Sequence, residues 1–292
     1  MQDTREFHIT TNKLRSFFLS KGFIEVPAQG RLSILAACED PRTISQMKMG
    51  GKEWPLPQTG QMHLELELLK NPEYQGVFCL TTSYRNEANP IPGRHLLTPY
   101  LFEFESKGDM EDLKTIETEI LEHMGFDKPK TINYEDLAKK YNVTELEDKH
   151  ETRMCKEEAE AILLQNFPTR TNPYWNMKYA GNDIFRKVDV ILNGMETMGS
   201  AERSCDKTEM EKFFYSVENG EYAKTLFEKT DKERVLAELA EYLSLDFFPR
   251  YGAGIGIYRL CSAMRNKGLF TKQKEDFSFV GAFKTNVDQL SM

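Results

Sequence analysis

From Tyr251 to Leu260 the chain reads Tyr-Gly-Ala-Gly-Ile-Gly-Ile-Tyr-Arg-Leu, with a glycine at every second position. Side chains in a strand alternate between its two faces, so Gly252, Gly254 and Gly256 leave one face bare while Tyr251, Ala253 and Ile255 make the other apolar. Such a strip leaves room for a flat ring to lie against backbone. Arg259 stands where the strand runs into a helix predicted over 261–266, and its guanidinium there suits a phosphate or the face of a base. No acidic residue follows at the spacing of a dinucleotide-binding glycine motif, which sets that reading aside. Alone, alternate glycines also occur where helices pack closely on a sheet.

A second feature lies between the β-prone runs 79–84 and 100–104. They flank a turn-forming stretch, Asn89-Pro90-Ile91-Pro92-Gly93, and predict a long hairpin with an irregular tip. Arg85 and Glu87 precede the tip, and Arg94 and His95 follow it. Several cations aimed at one point suit a polyphosphate, although a solvated turn carries similar charges. A third feature is the regular placement of Asp189, Glu196 and Arg203, seven residues apart in each step. Two converging carboxylates would bind magnesium beside a polyphosphate, and an arginine beyond them would bind a carboxylate or an amide oxygen. An exposed acid pair and a surface arginine would read the same way.

The rest of the chain supplies the frame. Leu14, Phe17 and Phe18 predict a helix over 10–19, ended by Gly22 and followed by a short strand at 23–26. Residues 31–54 read as loop, 62–69 as helix, 76–80 as a buried strand and 112–124 as an amphipathic helix. Two helices are expected over 134–164, a strand over 187–192 and mostly helix over 209–243. Strands and hairpins surrounding a helical middle indicate an α+β fold with a mainly antiparallel sheet flanked by helices, in one domain over 1–292.

Composition narrows the function classes. Hydrophobic residues make up 40% and charged residues 29% of the 292, as in soluble globular chains. No apolar run is long enough for a membrane span and the start has no signal-like core, so a cytoplasmic protein without a membrane partner is expected. The cysteines (Cys38, Cys79, Cys155, Cys205, Cys261) form no C-x-x-C pair, against a zinc site or disulfide scaffold. The net charge of −8 gives a nucleic-acid partner no support.

Together the motifs resemble the catalytic core of class II aminoacyl-tRNA synthetases. The run 82–87 (Thr-Ser-Tyr-Arg-Asn-Glu), Arg94-His95-Leu96 and Phe102-Glu103-Phe104-Glu105 resemble motif 2, Gly252 to Leu260 resembles motif 3, and 22–26 resembles the strand of motif 1. Within the class, Gly60-Gln61-Met62-His63-Leu64-Glu65, Cys38-Glu39, Gly51-Lys52-Glu53 and the 189–203 segment are similar to asparaginyl and aspartyl enzymes. The similarity spans about residues 10 to 270.

The resemblance implies ATP and Mg2+ as cofactors and a homodimer. Arg85 would hold the α-phosphate and the substrate carboxylate, with Arg85 and Arg259 as the catalytic pair. Glu87 would meet the adenine edge, Arg94 and His95 the outer phosphates, and Gly254, Gly256 and Arg259 the remaining ATP surface. Asp189 and Glu196 would take the metal. Glu39, Thr59, Gln61, Glu65, Ser200 and Arg203 would bind the amino acid. Leu64 stands where aspartyl enzymes carry lysine, and Glu65 follows as in asparaginyl enzymes, so the pocket leans toward asparagine.

Motif 1 lies so near the start that no anticodon-binding domain is expected, as in the archaeal asparagine synthetase-related proteins. Three functions are then in play. The leading one is an ATP-dependent ligase that forms asparagine from an activated aspartate, releasing AMP and pyrophosphate. The second transfers asparagine or a related amino acid to tRNA or protein; tRNA stays open as a partner without support from charge. The third is a weakly active or non-catalytic paralogue that binds nucleotide or amino acid. It draws on Thr98-Pro99, which stand where the family has Glu-Phe, and on Tyr258, which replaces an acidic residue.

Overall fold

Alternation of large apolar and small or acidic residues decides how the strands lie. The computed structural model describes residues 3–28, 40–88 and 96–270. It opens with helix α1 (Thr4–Ser20), whose first turn is capped by the Asp3 carboxylate accepting from the amides of Arg5 and Glu6. Gly22, at φ 77°, ends that segment in a conformation few other residues adopt, and β1 (Ile24–Glu25) follows. Within the segment expected to be loop, β2 (Gln46–Met49) and β3 (Lys52–Pro55) form an antiparallel hairpin. Its turn is Gly50-Gly51, with both glycines at positive φ.

Helix α2 (Gln61–Lys70) leads to β4 (Gly76–Thr82) and β5 (Tyr100–Lys107), the two arms of the expected long hairpin. Helix α3 (Met110–Met124) starts on an Asp109–Asp112 capping box and stops at Gly125 in the left-handed region. A strand the sequence did not signal, β6 (Lys130–Asn133), precedes α4 (Tyr134–Tyr141) and α5 (Asp148–Glu157). Helix was expected to run to residue 164, but Ala161 to Leu164 begin strand β7 (Ala161–Pro168).

Next come β8 (Tyr179–Gly181), β9 (Ile184–Leu192) and β10 (Met195–Glu202), the last two joined at Asn193-Gly194, both at positive φ. Three helices follow, α6 (Lys207–Ser216), α7 (Glu221–Lys229) and α8 (Lys232–Ser244). The glycine strand β11 (Arg250–Gly256) and α9 (Ile257–Asn266) close the described chain.

The main sheet runs β1-β4-β5-β11-β10-β9-β7-β6, with β8 on the side of β9. Only its outer pairs, β1–β4 and β6–β7, are parallel among the described strands. On one face Phe102, Phe104, Tyr251, Ala253, Ile255 and Met198 pack with α1, α3 and α9 in the largest apolar cluster. On the other face α2 packs on β4 through Leu64, Leu68, Val77 and Cys79, and α6–α8 build a second cluster around Trp175. That second face is the one the glycines leave bare.

Candidate active site

Three adjacent strands set the floor. Gly254 pairs with Glu103 on β5 and with Gly199 on β10, while Gly252 pairs with Glu105 and Ala201. Because Phe102 and Phe104 point into the core, Glu103 and Glu105 point to the bare face. A cavity of about 320 Å³ lies over this floor. Its walls include Thr59, Gln61, Glu65, Arg85, Glu87, Glu196, Ser200, Arg203, Gly254, Gly256 and Arg259, so residues spread over two hundred positions meet at one place. Glu39, Arg94 and His95 lie outside the described residues.

At one end stand the two expected cationic groups. Arg85 leaves the end of β4, its amide bonded to Leu97 O at 2.9 Å and its Nε donating to Ser83 Oγ at 3.2 Å. Arg259, in the first turn of α9, donates from Nη1 to Glu196 O at 2.7 Å. Leu96, Pro99, Leu101 and Tyr258 supply wall beside them. Pro99 and Tyr258, the departures from the family pattern, thus border the same space as the arginines.

At the other end α2 presents its first turn. Gly60 N and Thr81 Oγ1 donate to Glu103 Oε2 at 2.8 and 2.6 Å, and the Thr59 hydroxyl also donates to Glu103. This carboxylate pins the start of α2, and so places Gln61 and Glu65. Gln61 Nε2 donates to Phe104 O at 3.1 Å and to Glu105. Leu64 faces the core with Leu68, and Glu65 is the α2 acid on the cavity.

Glu65 is fully buried and heavily bonded. Asn176 Nδ2 donates to Oε1 at 2.6 Å, while Tyr242 Oη and Arg250 Nη2 donate to Oε2 at 2.7 and 2.8 Å. Arg203 Nη2 donates to Glu105 Oε1 at 2.7 Å, and its Nε lies 3.6 Å from Glu65 Oε1. Burial pushes Glu105 up to about 7, against the pull of Arg203, and the charge of Glu65 pushes the same way.

Ser200 lines the wall, but its hydroxyl turns to the helix side. It lies 2.6 Å from Glu117 Oε1 on α3 and donates to Val188 O at 2.9 Å, so the expected contact with an amino acid is not made by that group. Its neighbour Gly199 faces the cavity instead, as strand alternation requires. Sequence reasoning missed Asn176, Arg250, Tyr242 and Lys187. The Phe-Glu-Phe-Glu alternation at 102–105, set against alternate glycines, was a usable signal for Glu103 and Glu105.

Asp189 and Glu196 do converge. A methyl group placed on Gly199 would lie 3.0 Å from Glu196 Oε1 and 3.7 Å from Asp189 Oδ1. Asp189 is 6% exposed, and its Oδ1 accepts no hydrogen bond. Lys187 Nζ lies 2.5 Å from Asp189 Oδ2. Burial opposes the Lys187 ammonium, yet Asp189 and Glu196 overrule it and raise its pKa. Among the described residues no three acidic, histidine or cysteine side chains gather as a metal cage. Two carboxylate oxygens, one of them unpartnered, fit a magnesium ion shared with a phosphate rather than one enclosed by protein.

Residues 4–268 match the family described as tRNA synthetases class II (D, K and N). None of the curated proteins matches the chain. Among solved structures, the asparaginyl-tRNA synthetase from Pyrococcus horikoshii complexed with asparaginyl-adenylate is 20% identical, with a TM-score of 0.71 over 89% of this chain and 64% of that one. The Entamoeba histolytica asparaginyl-tRNA synthetase is 17% identical, with a TM-score of 0.72 over 90% and 64%. The aspartyl-tRNA synthetase of the same organism is 14% identical, with a TM-score of 0.66 over 89% and 54%. The chain thus spans less than two thirds of the length of these proteins, and at such identities the likeness is one of fold. Among the described residues, no helix is long and apolar enough to cross a membrane.

Proposed function

Because the chain belongs to the tRNA synthetases class II (D, K and N) family, we propose that it activates an amino acid with ATP, giving an acyl-adenylate and pyrophosphate. The observation that carries this reading is the single cavity with Arg85 and Arg259 at one end and Glu65, Asn176 and Arg203 at the other. A carboxylate oxygen attacks the α-phosphorus, an acyl-oxygen bond to phosphorus forms, and the bond to the β-phosphate oxygen breaks. This chemistry asks for alignment and charge neutralisation more than for a proton-transfer group. Arg85 neutralises the α-phosphate, Arg259 holds the departing end, and Gly254 and Gly256 let the nucleotide approach the sheet. When bound at Asp189 and Glu196, magnesium supplies further neutralisation of the phosphates.

The buried Glu65 carboxylate favours an amino acid whose side chain donates hydrogen bonds. An asparagine amide would donate to Glu65 and accept from Arg203, whereas an aspartate side chain would face the Glu65 anion. A second reading has aspartate activated and ammonia as acceptor, forming asparagine. It is favoured by Arg203, a cation on the cavity wall that would pair with a substrate carboxylate.

Pyrophosphate exchange with asparagine and with aspartate in turn, then with ammonia or bulk tRNA added, separates these readings. Exchange with asparagine alone supports the first, and ammonia-dependent AMP release with aspartate supports the second. A protein that binds ATP but exchanges with neither amino acid defeats both and leaves a nucleotide-binding paralogue.

A further inference from the structure

We infer that Lys187 is a built-in counter-ion that keeps the Asp189–Glu196 pair from holding a divalent cation until a triphosphate arrives. The inference rests on reading that pair as the metal seat of an adenylating site. Lys187 lies two residues before Asp189 on β9, so both side chains leave the same face of the strand. Its ammonium sits 2.5 Å from Asp189 Oδ2 and 3.8 Å from the ring centroid of Phe167, which seats it from the other side. Glu196 attracts the same ammonium.

A dication between Asp189 Oδ1 and Glu196 Oε1 would therefore neighbour two fixed positive charges, Lys187 and Arg259, and the latter also acts on Asp189. The Glu151 carboxylate adds a third negative group, accepting from Glu196 N at 3.0 Å. Among the described residues Lys187 offsets one of these negative charges and leaves the seat less negative; without the lysine it would carry one more net negative charge. Magnesium sheds its waters reluctantly and is held poorly by so little charge and two protein oxygens. A triphosphate brings several negative charges and further oxygens, which reverses the balance. Metal and nucleotide then enter together, and Lys187 stabilises Asp189 in the interval.

The probe is Mn2+, followed by the loss of its free electron paramagnetic resonance signal on titration into the full chain, with and without ATP. Wild type should bind Mn2+ weakly alone and much more tightly with ATP. Removing a unit positive charge a few ångströms away should make Lys187→Met bind Mn2+ alone about tenfold more tightly or better. Lys187→Arg should stay as weak as wild type, and Lys187→Met with Asp189→Asn should fall back to that level. Lys187→Gln serves the same purpose if the methionine variant does not fold. Equal Mn2+ affinity of wild type and the neutral variants without nucleotide, or tight binding by Lys187→Arg, overturns the inference. ATP binding is measured separately by calorimetry without metal; its absence would sink the adenylation reading and leave the lysine comparison intact.

Discussion

Gly252 lies in register with Glu105, and a methyl group added to it would come within 2.0 Å of Glu105 Oε1 and 2.5 Å of Gln61 Nε2. The glycine thus keeps open the volume in which the Glu105–Gln61–Arg203 arrangement exists. Gly252→Ala should displace that carboxylate, cost about 1–3 kcal/mol by overpacking, and raise KM for the amino acid more than for ATP. Gly254→Ala is the contrasting case, because its methyl would rest 3.8 Å from Glu103 in ordinary contact. It should fold as well as wild type and weaken ATP, since it fills the floor of the cavity. Thermal melts with KM values for both substrates check the pair; equal effects on the two substrates would refute the division of the floor.

Arg85→Ala should lower the exchange rate about 100- to 1000-fold, the usual loss on removing one donor to developing charge. Thermal melts of the variant, run beside the rate, separate loss of the Arg85 Nε bond to Ser83 Oγ from loss of chemistry. Arg85→Lys should recover a small part of the rate, since an ammonium lacks the planar fork. Single-turnover adenylate formation at saturating ATP is the measurement. Retention of the wild-type rate in the alanine variant would remove Arg85 from the chemistry.

The parts of this molecule that could be read from its sequence are those where one period dominates. Helix α1 and the glycine strand each show a single face to a single core. The β4–β5 hairpin is marked instead by the turn-forming sequence between its arms, since Val77 and Phe78 enter different apolar clusters. Strand β7 was missed because it is buried on both sides: Ala161 and Leu163 enter one apolar cluster, Ile162 and Leu164 another. A run apolar at every position carries no period and follows a helix without a break. The Gly50-Gly51 hairpin is hard to read because its strands are only four residues each and mostly exposed, so no apolar run marks them. In the site, residues held by local motifs were legible. Asn176, Arg250, Tyr242 and Lys187 were not, because each is placed by pairing with an element distant in sequence or by a neighbour whose role depends on it. The family resemblance also put Ser200 in the pocket, and only strand parity shows its hydroxyl facing Glu117.

Arg250 and Glu65 form a fully buried ion pair at 2.8 Å, also bonded through Tyr242. Arg250→Met should cost about 3–5 kcal/mol, because it strands a buried carboxylate. Adding Glu65→Gln should return a good part of that loss while leaving amino-acid binding impaired. Urea unfolding of the singles and the double closes the cycle. Additive losses would mean that the two residues do not depend on each other.

Glu117 offers a pH-dependent test of the face opposite the cavity. Burial in the α3 interface pushes its carboxyl from 4.5 up to about 8, only partly offset by the Ser200 hydroxyl. Between those values the folded chain keeps a proton that the unfolded chain releases, so folding stability falls as pH rises through the window and levels off above about 8. Glu117→Gln carries no such proton and keeps the neutral shape. Its advantage over wild type should be near zero at pH 4.5 and grow to about 2–4 kcal/mol above pH 8, at roughly 1.4 kcal/mol per unit of pKa difference less relaxation. Urea midpoints at pH 5, 7 and 9 measure this growth. An advantage equal at all three values would mean that Glu117 is ionised in the folded protein throughout, with Ser200 donating to it rather than to Val188 O.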